Sequence, residues 1–314
     1  MKKSKLERGG AEYLTVKIGD GEKVLCESSV LSSLYKYWPA PDSTEYAKLN
    51  LEELFINNKM RLTGPSEIND PLDCNPKYIS DLKGNQAAAL IKDVMNRPAT
   101  SHEFKIYQDE LKARYPNRKS RRADKDYQRF VVEQSRGAIE RHYSKQGFIS
   151  FSADDSNPLL WAHYASAHKG VKITFSTRLS DDVKTIEDIP IATQLLKVRY
   201  GNERPKIFAS KLPKRYGKAD LKDMTLINAV LNKSTHWSYE DEWRFIGRVG
   251  RRSREPVCGN WVDIGKNALT SITLGVSSTD DTEKFIRELN SKSGRNLPVY
   301  RAYLSEDNYK ILER

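Results

Sequence analysis

The chain has 314 residues, of which 38% are hydrophobic and 30% charged, with a formal net charge of +11; that is enough for one large domain with a substantial core. No run approaches the roughly 20 apolar residues of a membrane span, and no apolar signal core follows the basic start Met1-Lys2-Lys3-Ser4-Lys5, so a cytoplasmic protein without a membrane partner is expected. Cys26, Cys74 and Cys258 are too few and too scattered for a disulfide framework or a zinc site.

Residues 1–30 read as an N-terminal extension, with Tyr13–Ile18 running into Gly19-Asp20-Gly21 as half of a hairpin. Leu34–Trp38 is a strand closed by Pro39-Ala40-Pro41. Tyr46–Asn58 is a helix with Leu49, Leu54 and Phe55 near one face, and a short strand over Met60–Thr63 follows. Ile68-Asn69-Asp70-Pro71-Leu72-Asp73 is an Asx-Pro turn whose acids serve first to fix a loop. Residues 80–146 are helical in pattern and form an insertion, with a basic break at Tyr115-Pro116-Asn117-Arg118.

The densest stretch is 147–175. Phe148-Ile149-Ser150-Phe151-Ser152 alternates apolar and hydroxyl side chains, the period of a strand with one wet face. Asn157 is the expected N-cap of a helix with Pro158 at its first position, Gly170 the expected left-handed stop, and Val171–Phe175 the next strand. Later elements are a strand at Leu195–Tyr200, a helix at Asp220–Asn232, a strand at Ser271–Val276, a helix at Asp281–Asn290 and a strand at Leu297–Tyr303. The expectation is a single α+β domain over 31–314 with a helical insertion at 80–146.

Charge is concentrated in three places. Residues 111–125 carry a net +6 and residues 197–218 a net +7, while Arg248, Arg251, Arg252 and Arg254 cluster within 248–254. Basic segments with tyrosines nearby fit contact with a nucleic-acid backbone. His163 and His168, five residues apart, point about 140° from one another on a helix and cannot share one zinc ion. In Trp237-Ser238-Tyr239-Glu240-Asp241-Glu242-Trp243-Arg244, strand periodicity puts Glu240, Glu242 and Arg244 on one face. Two carboxylates beside an arginine suit either the steadying of a sugar cation or a plain ion pair.

Leu34-Tyr35-Lys36-Tyr37, Asn69–Asp73, Ser150-Phe151-Ser152, Trp161-Ala162-His163-Tyr164 with His168-Lys169-Gly170, and Tyr239–Arg244 together resemble a bacterial family known as a domain of unknown function (number 2971). More distantly, Ser150-Phe151-Ser152 and Glu240-Asp241-Glu242 are similar, in order, to the Ser-x-Ser and Glu-x-Glu elements of ADP-ribosyltransferases. The first element of that superfamily, an Arg or His strand, falls here at Tyr35-Lys36-Tyr37. The resemblance implies a small twisted mixed β-sheet core that splays NAD. It implies Glu242 as the carboxylate facing the ribose, Glu240 as activator of the acceptor, and Ser150 as the residue that positions Glu242 or the nicotinamide ribose. It places Tyr35, Lys36, Tyr37, Ser152, Trp161, His163, Tyr164, His168 and Arg244 around the cofactor, and Asn69, Asp70, Arg118, Arg121 and Arg122 against an acceptor that is nucleic acid or bound to it. Likeness of this kind is associated with toxin and phage-defence effectors. Two alternatives stand beside it: a non-catalytic nucleic-acid-binding effector, and a metal-dependent nuclease using Asp70, Asp73 and Glu242.

Overall fold

The computed structural model describes residues 2–8, 11–18, 21–25, 31–79, 146–177, 192, 195–208, 229–248, 261–265 and 267–314, with isolated helical positions at 105, 109, 110 and 113. The rest of the expected insertion, Arg118, Arg121, Arg122 and the cluster beyond Arg248 lie outside these residues. The chain divides into two compact units, one of residues 1–69, 146–202 and 233–314, the other of 70–145 and 203–232.

The first unit is built on an eight-stranded sheet. Its order is β17 (Ile311–Glu313), β16 (Val299–Leu304), β15 (Leu269–Leu274), β8 (Val171–Ser176), β4 (Ser33–Trp38), β7 (Gln146–Ser152), β13 (Glu242–Arg248) and β9 (Leu196–Lys197). All neighbours are antiparallel except β15 and β16. The described residues are thus α+β, with a mostly antiparallel sheet and few helices among them. Strands β1 (Lys2–Arg8), β2 (Ala11–Ile18) and β3 (Gly21–Leu25) form a separate antiparallel sheet in that order. A small ladder joins β5 (Lys59–Arg61) to β14 (Trp261–Asp263). In the second unit β6 (Lys77–Ile79) runs parallel to β11 (Lys206–Phe208), and Arg204 grips Asn75 at 2.6 and 2.7 Å.

Alternation along the strands gives the large sheet two unlike faces. Leu34, Trp38, Ile149, Phe151, Val171, Ile173, Phe175, Trp243, Ile272 and Leu274 form one apolar layer. Helices α1 (Glu45–Asn57) and α3 (Asp280–Lys292) cover it with Leu51, Leu54, Phe55, Ile286 and Leu289. In α1 the buried face is Ala47, Leu51, Leu54 and Phe55; Leu49, expected there, is exposed. The other face carries Tyr35, Tyr37, Lys172, Thr174, Thr273, Ser150, Ser152, Glu242 and Arg244. It is partly covered by the short helix α2 (Pro158–Tyr164) through Leu160 and Trp161.

Asn157 caps α2 as expected, its side chain accepting from Leu159 N. The helix stop differs. Ser166, Ala167 and His168 have φ of 47, 51 and 69°, while Gly170 is not left-handed. Gly170 is needed for closeness: a Cβ there would lie 2.0 Å from the carbonyl oxygen of Trp38. The left-handed turn is held by Gly170 N donating to Ala165 O and Ala40 N donating to Ser166 Oγ. Left-handed backbone costs an L-residue about 1–2 kcal/mol, part of which glycine's looser unfolded chain offsets. Ala167→Gly, at an exposed site, is therefore expected to raise stability by about 0.5–1 kcal/mol in urea unfolding.

Two strand expectations also shift. Leu195–Tyr200 breaks at Val198 into β9 and β10 (Arg199–Gly201). After β12 (Asn232–Ser234), residues Thr235–Glu240 form a 3-10 helix rather than strand, capped by Ser234 and ended by Asp241 at φ 39°. Strand geometry resumes only at Glu242.

Candidate active site on the polar face of the sheet

The register of β13 on β7 sets the site. Glu242 sits opposite Ser152 and Arg244 opposite Ser150, so the Ser-x-Ser and Glu-x-Arg side chains share one face. Arg244 lies 4.3 Å above the ring of Phe148, two residues along that face. The 3-10 helix then delivers Glu240 to the same place. Its end is tied down by Ser152 Oγ donating to Glu240 O at 2.6 Å, by Ala153 N donating to Asp241 O, and by Asn157 Nδ2 donating to Tyr239 O.

Two carboxylates and two cations meet here, all nearly closed to solvent. Arg244 grips Glu242 with two nitrogens, Nε to Oε1 at 2.7 Å and Nη2 to Oε2 at 3.0 Å. Lys233 Nζ lies between the acids, 2.5 Å from Glu240 and 3.2 Å from Glu242. Tyr164 donates its hydroxyl to Glu240, Ser150 bonds Glu242, and the Glu242 amide donates to Tyr200 Oη at 2.8 Å.

This arrangement drives the two acids apart. Burial alone would raise the carboxyl of Glu242, but Arg244 and then Lys233 overturn it and hold it down at about 2. Glu240 moves the other way. Burial and the neighbouring charge of Glu242 raise it, against the pull of Lys233 and Tyr164. Burial and Glu240 also push the Tyr164 phenol up, so it stays a donor.

Outside the acids lies a set of rings. His163 is 6.2 Å from Trp237 and 6.3 Å from Tyr239, and Trp237 and Tyr239 are 6.0 Å apart, centroid to centroid. His163 is exposed and the other two half-buried. Lys233 lies 5.0 Å over Trp237, which joins the ring set to the ionic network.

The structure therefore brings together Glu240, Glu242, Ser150, Ser152, Tyr164 and Arg244, with His163 at the rim. Others it sends elsewhere. Trp161 is fully buried with its ring edge-on to Tyr37, so it packs the core and offers no stacking face. Tyr35 and Tyr37 lie on the polar face further along, Tyr35 under Lys172 and Tyr37 bonded to Asp154 O. Lys36 points to the opposite face, beside Trp38 and Phe151. His168 belongs to the left-handed turn, its carbonyl accepting from Ser277. Asp70 Oδ1 accepts from Leu72 N, an Asx turn, and Asp73 N donates to Asp70 O, the loop-fixing role the sequence suggested. Asn69 precedes that turn. Among the described residues no group of three or more metal-ligating side chains occurs.

Sequence reasoning missed Lys233 and Tyr200. Neither had a signal: a lysine before Ser-Thr-His-Trp and a tyrosine in a basic strand acquire partners only through tertiary closure. Of the basic cluster at 197–218, Lys197 pairs with Asp241 at 2.9 Å and Lys206 with Glu203 at 3.0 Å.

Residues 160–245 match a family described as Protein of unknown function (DUF2971), which supports kinship with that family. The match spans Trp161–Tyr164, His168–Gly170 and Tyr239–Arg244, and thus both acids. No curated protein and no solved structure matches the chain. No helix among the described residues is long and apolar enough to cross a membrane.

Proposed function

We propose that the chain is an NAD-dependent, ADP-ribosyltransferase-like enzyme whose chemistry is centred on Glu240 and Glu242. The observation that carries this reading is the split between two adjacent buried acids, one clamped in its ionised form and the other raised. Neighbouring carboxyls pushed apart in this way suit different tasks in one reaction. The ring set of exposed His163 with half-buried Trp237 and Tyr239 suits a planar base, and the acids suit a sugar that becomes positive.

Bound NAD supplies a ribose–nicotinamide bond whose cleavage leaves positive charge on the sugar. Glu242 remains an anion throughout, its field aimed by Arg244 and Ser150. Glu240 takes the proton that the acceptor loses as it bonds to the ribose carbon, and its upward shift, from burial and the charge of Glu242, makes it a stronger base than an ordinary carboxylate. Tyr164 and Lys233 hold Glu240 in place by hydrogen bonds. The acceptor is nucleic acid or a nucleic-acid-bound molecule, drawn by the basic segments.

Nicotinamide release from labelled NAD tests the reading. With Glu240→Gln the rate is expected to fall by about 10²-fold or more. In the wild type the rate should climb with pH above the ordinary carboxylate range, as Glu240 loses its proton, and that climb should vanish in the variant. Wild-type protein that leaves NAD intact at every pH sinks the proposal.

A second reading has its own support: both oxygens of Glu242 are already taken by Arg244 and Lys233. The network would then fix the fold without catalysis. It predicts that Glu240→Gln lowers the melting temperature while wild type and variant alike leave NAD untouched.

A further inference from the structure

We propose that the apolar side of the large sheet carries a separate ligand site, a pocket of about 430 Å³ that takes a small planar molecule bearing an anionic group held by Lys36. It does not depend on the transferase reading, since strand alternation turns Lys36 away from Glu240 and Tyr164.

The opening arises where β4 leaves β7. The two strands pair only at Tyr35 and Ser152, and beyond that point Lys36 Nζ donates to Ser150 O at 2.9 Å. That carbonyl is its one hydrogen-bond acceptor among the described residues; its other neighbours are the rings of Trp38 at 5.4 Å and Phe151 at 6.0 Å. An ammonium has three donors, and half-buried Lys36 lines the pocket with only one of them engaged by the described residues. Oxygens of an anion in the pocket would complete the set.

The other polar walls fit the same guest. Thr63 and Asn50 both line the pocket, and Asn50 Nδ2 donates to Tyr46 O at 2.9 Å, which leaves its carbonyl oxygen and the Thr63 hydroxyl as polar groups at the wall. Arg61 is already engaged, ion-paired to Glu67 and stacked 5.3 Å over Tyr46, so Lys36 is the charge left to meet a ligand. Trp38, Tyr46 and Met60 supply an apolar wall for a flat body. The volume lies in the range of small-molecule sites and far above a lone ion. Burial pulls Lys36 down to about 8, with the charge of Glu242 resisting, so it is a cation at neutral pH that can be discharged just above it.

Calorimetric titration of the intact protein with phenyl phosphate, benzoate and neutral benzamide tests the site. At pH 7 at least one anion should bind, benzamide at least tenfold more weakly, and the tighter anion identifies the headgroup. Lys36→Met should weaken that anion at least tenfold. In unaltered protein the same affinity should fall between pH 7 and 9 as Lys36 loses its proton. Arg61 and Glu67, which line the pocket with Lys36, and Glu242, whose charge acts on Lys36 from the other face of the sheet, keep their charge over that range, and Tyr46 stands at the wall. The pH arm needs no variant to fold. The proposal is overturned if no anion binds, if benzamide binds as well as its charged counterparts, or if affinity is indifferent to both pH and Lys36→Met.

Discussion

Glu242→Gln is expected to lower the unfolding free energy by about 3–5 kcal/mol, a loss on the order of 10 °C in melting temperature. The glutamine keeps the shape of the side chain but presents an amide to Arg244 and Lys233, two cations that converge on this carboxylate in a space nearly closed to water. The cost comes from cations left facing a neutral group, more than from the lost attraction. Adding Arg244→Met should restore part of the stability, because it removes a buried charge that has lost its carboxylate and fills similar volume. The acid-unfolding profile gives an independent reading. Glu242 sits at about 2 in the fold against an ordinary 4.5, so its contribution is fully present above 4.5 and drains as pH falls toward 2. Glu240, raised in the fold, works in the opposite sense and gains as it is protonated. Removing Glu242's charge should flatten the acid limb; an unchanged limb together with an unchanged melting temperature would refute the clamp.

Gly170→Ala is expected to be at least as damaging, costing about 3 kcal/mol or more and showing as loss of soluble protein or a steep fall in melting temperature. Its methyl would lie 2.0 Å from Trp38 O and 3.0 Å from both Ala40 N and Pro39 C, all backbone atoms that cannot swing aside. The damage should spread, because Gly170 O accepts from Gly275 N, and a Cβ on Gly275 would lie 2.1 Å from His168 O. Ala40, Gly170 and Gly275 are thus one packed junction between the end of β4, the start of β8 and the end of β15. Normal melting of Gly170→Ala would show that this junction can open at little cost.

Elements with a plain period were legible. Phe148–Ser152 and Val171–Phe175 announced strands with two unlike faces, and Asn157-Pro158 announced a helix start, since each signal is written in adjacent residues. The convergence of Ser150 with Glu242 was also anticipated, through motif order. What local pattern could not supply was direction. Thr235–Glu240 has no apolar alternation that separates a 3-10 helix from a strand, and the turn at Asp241 depends on a positive φ that sequence does not print. Local pattern makes Gly170 a turn residue because glycine usually is one; its reason is a neighbour more than a hundred positions away. Motif likeness groups Lys36 with Tyr35 by adjacency, although adjacent strand residues face opposite ways. Lys233 and Tyr200 were silent because a buried charge is explained only by partners the fold supplies.

The strand order has a consequence for how the protein is made. β4 is completed early, yet its ladders wait for β7 and β8, and β7 in turn waits for β13. A nascent polypeptide still attached to the ribosome before Glu242 emerges would carry β7 as a bare edge, with its serine face unmatched and its phenylalanines half covered. Such edges invite pairing with other copies. Stalled or prematurely terminated products ending before β13 should accordingly be aggregation-prone and reliant on chaperones, whereas chains that reach Arg248 can close the edge by themselves.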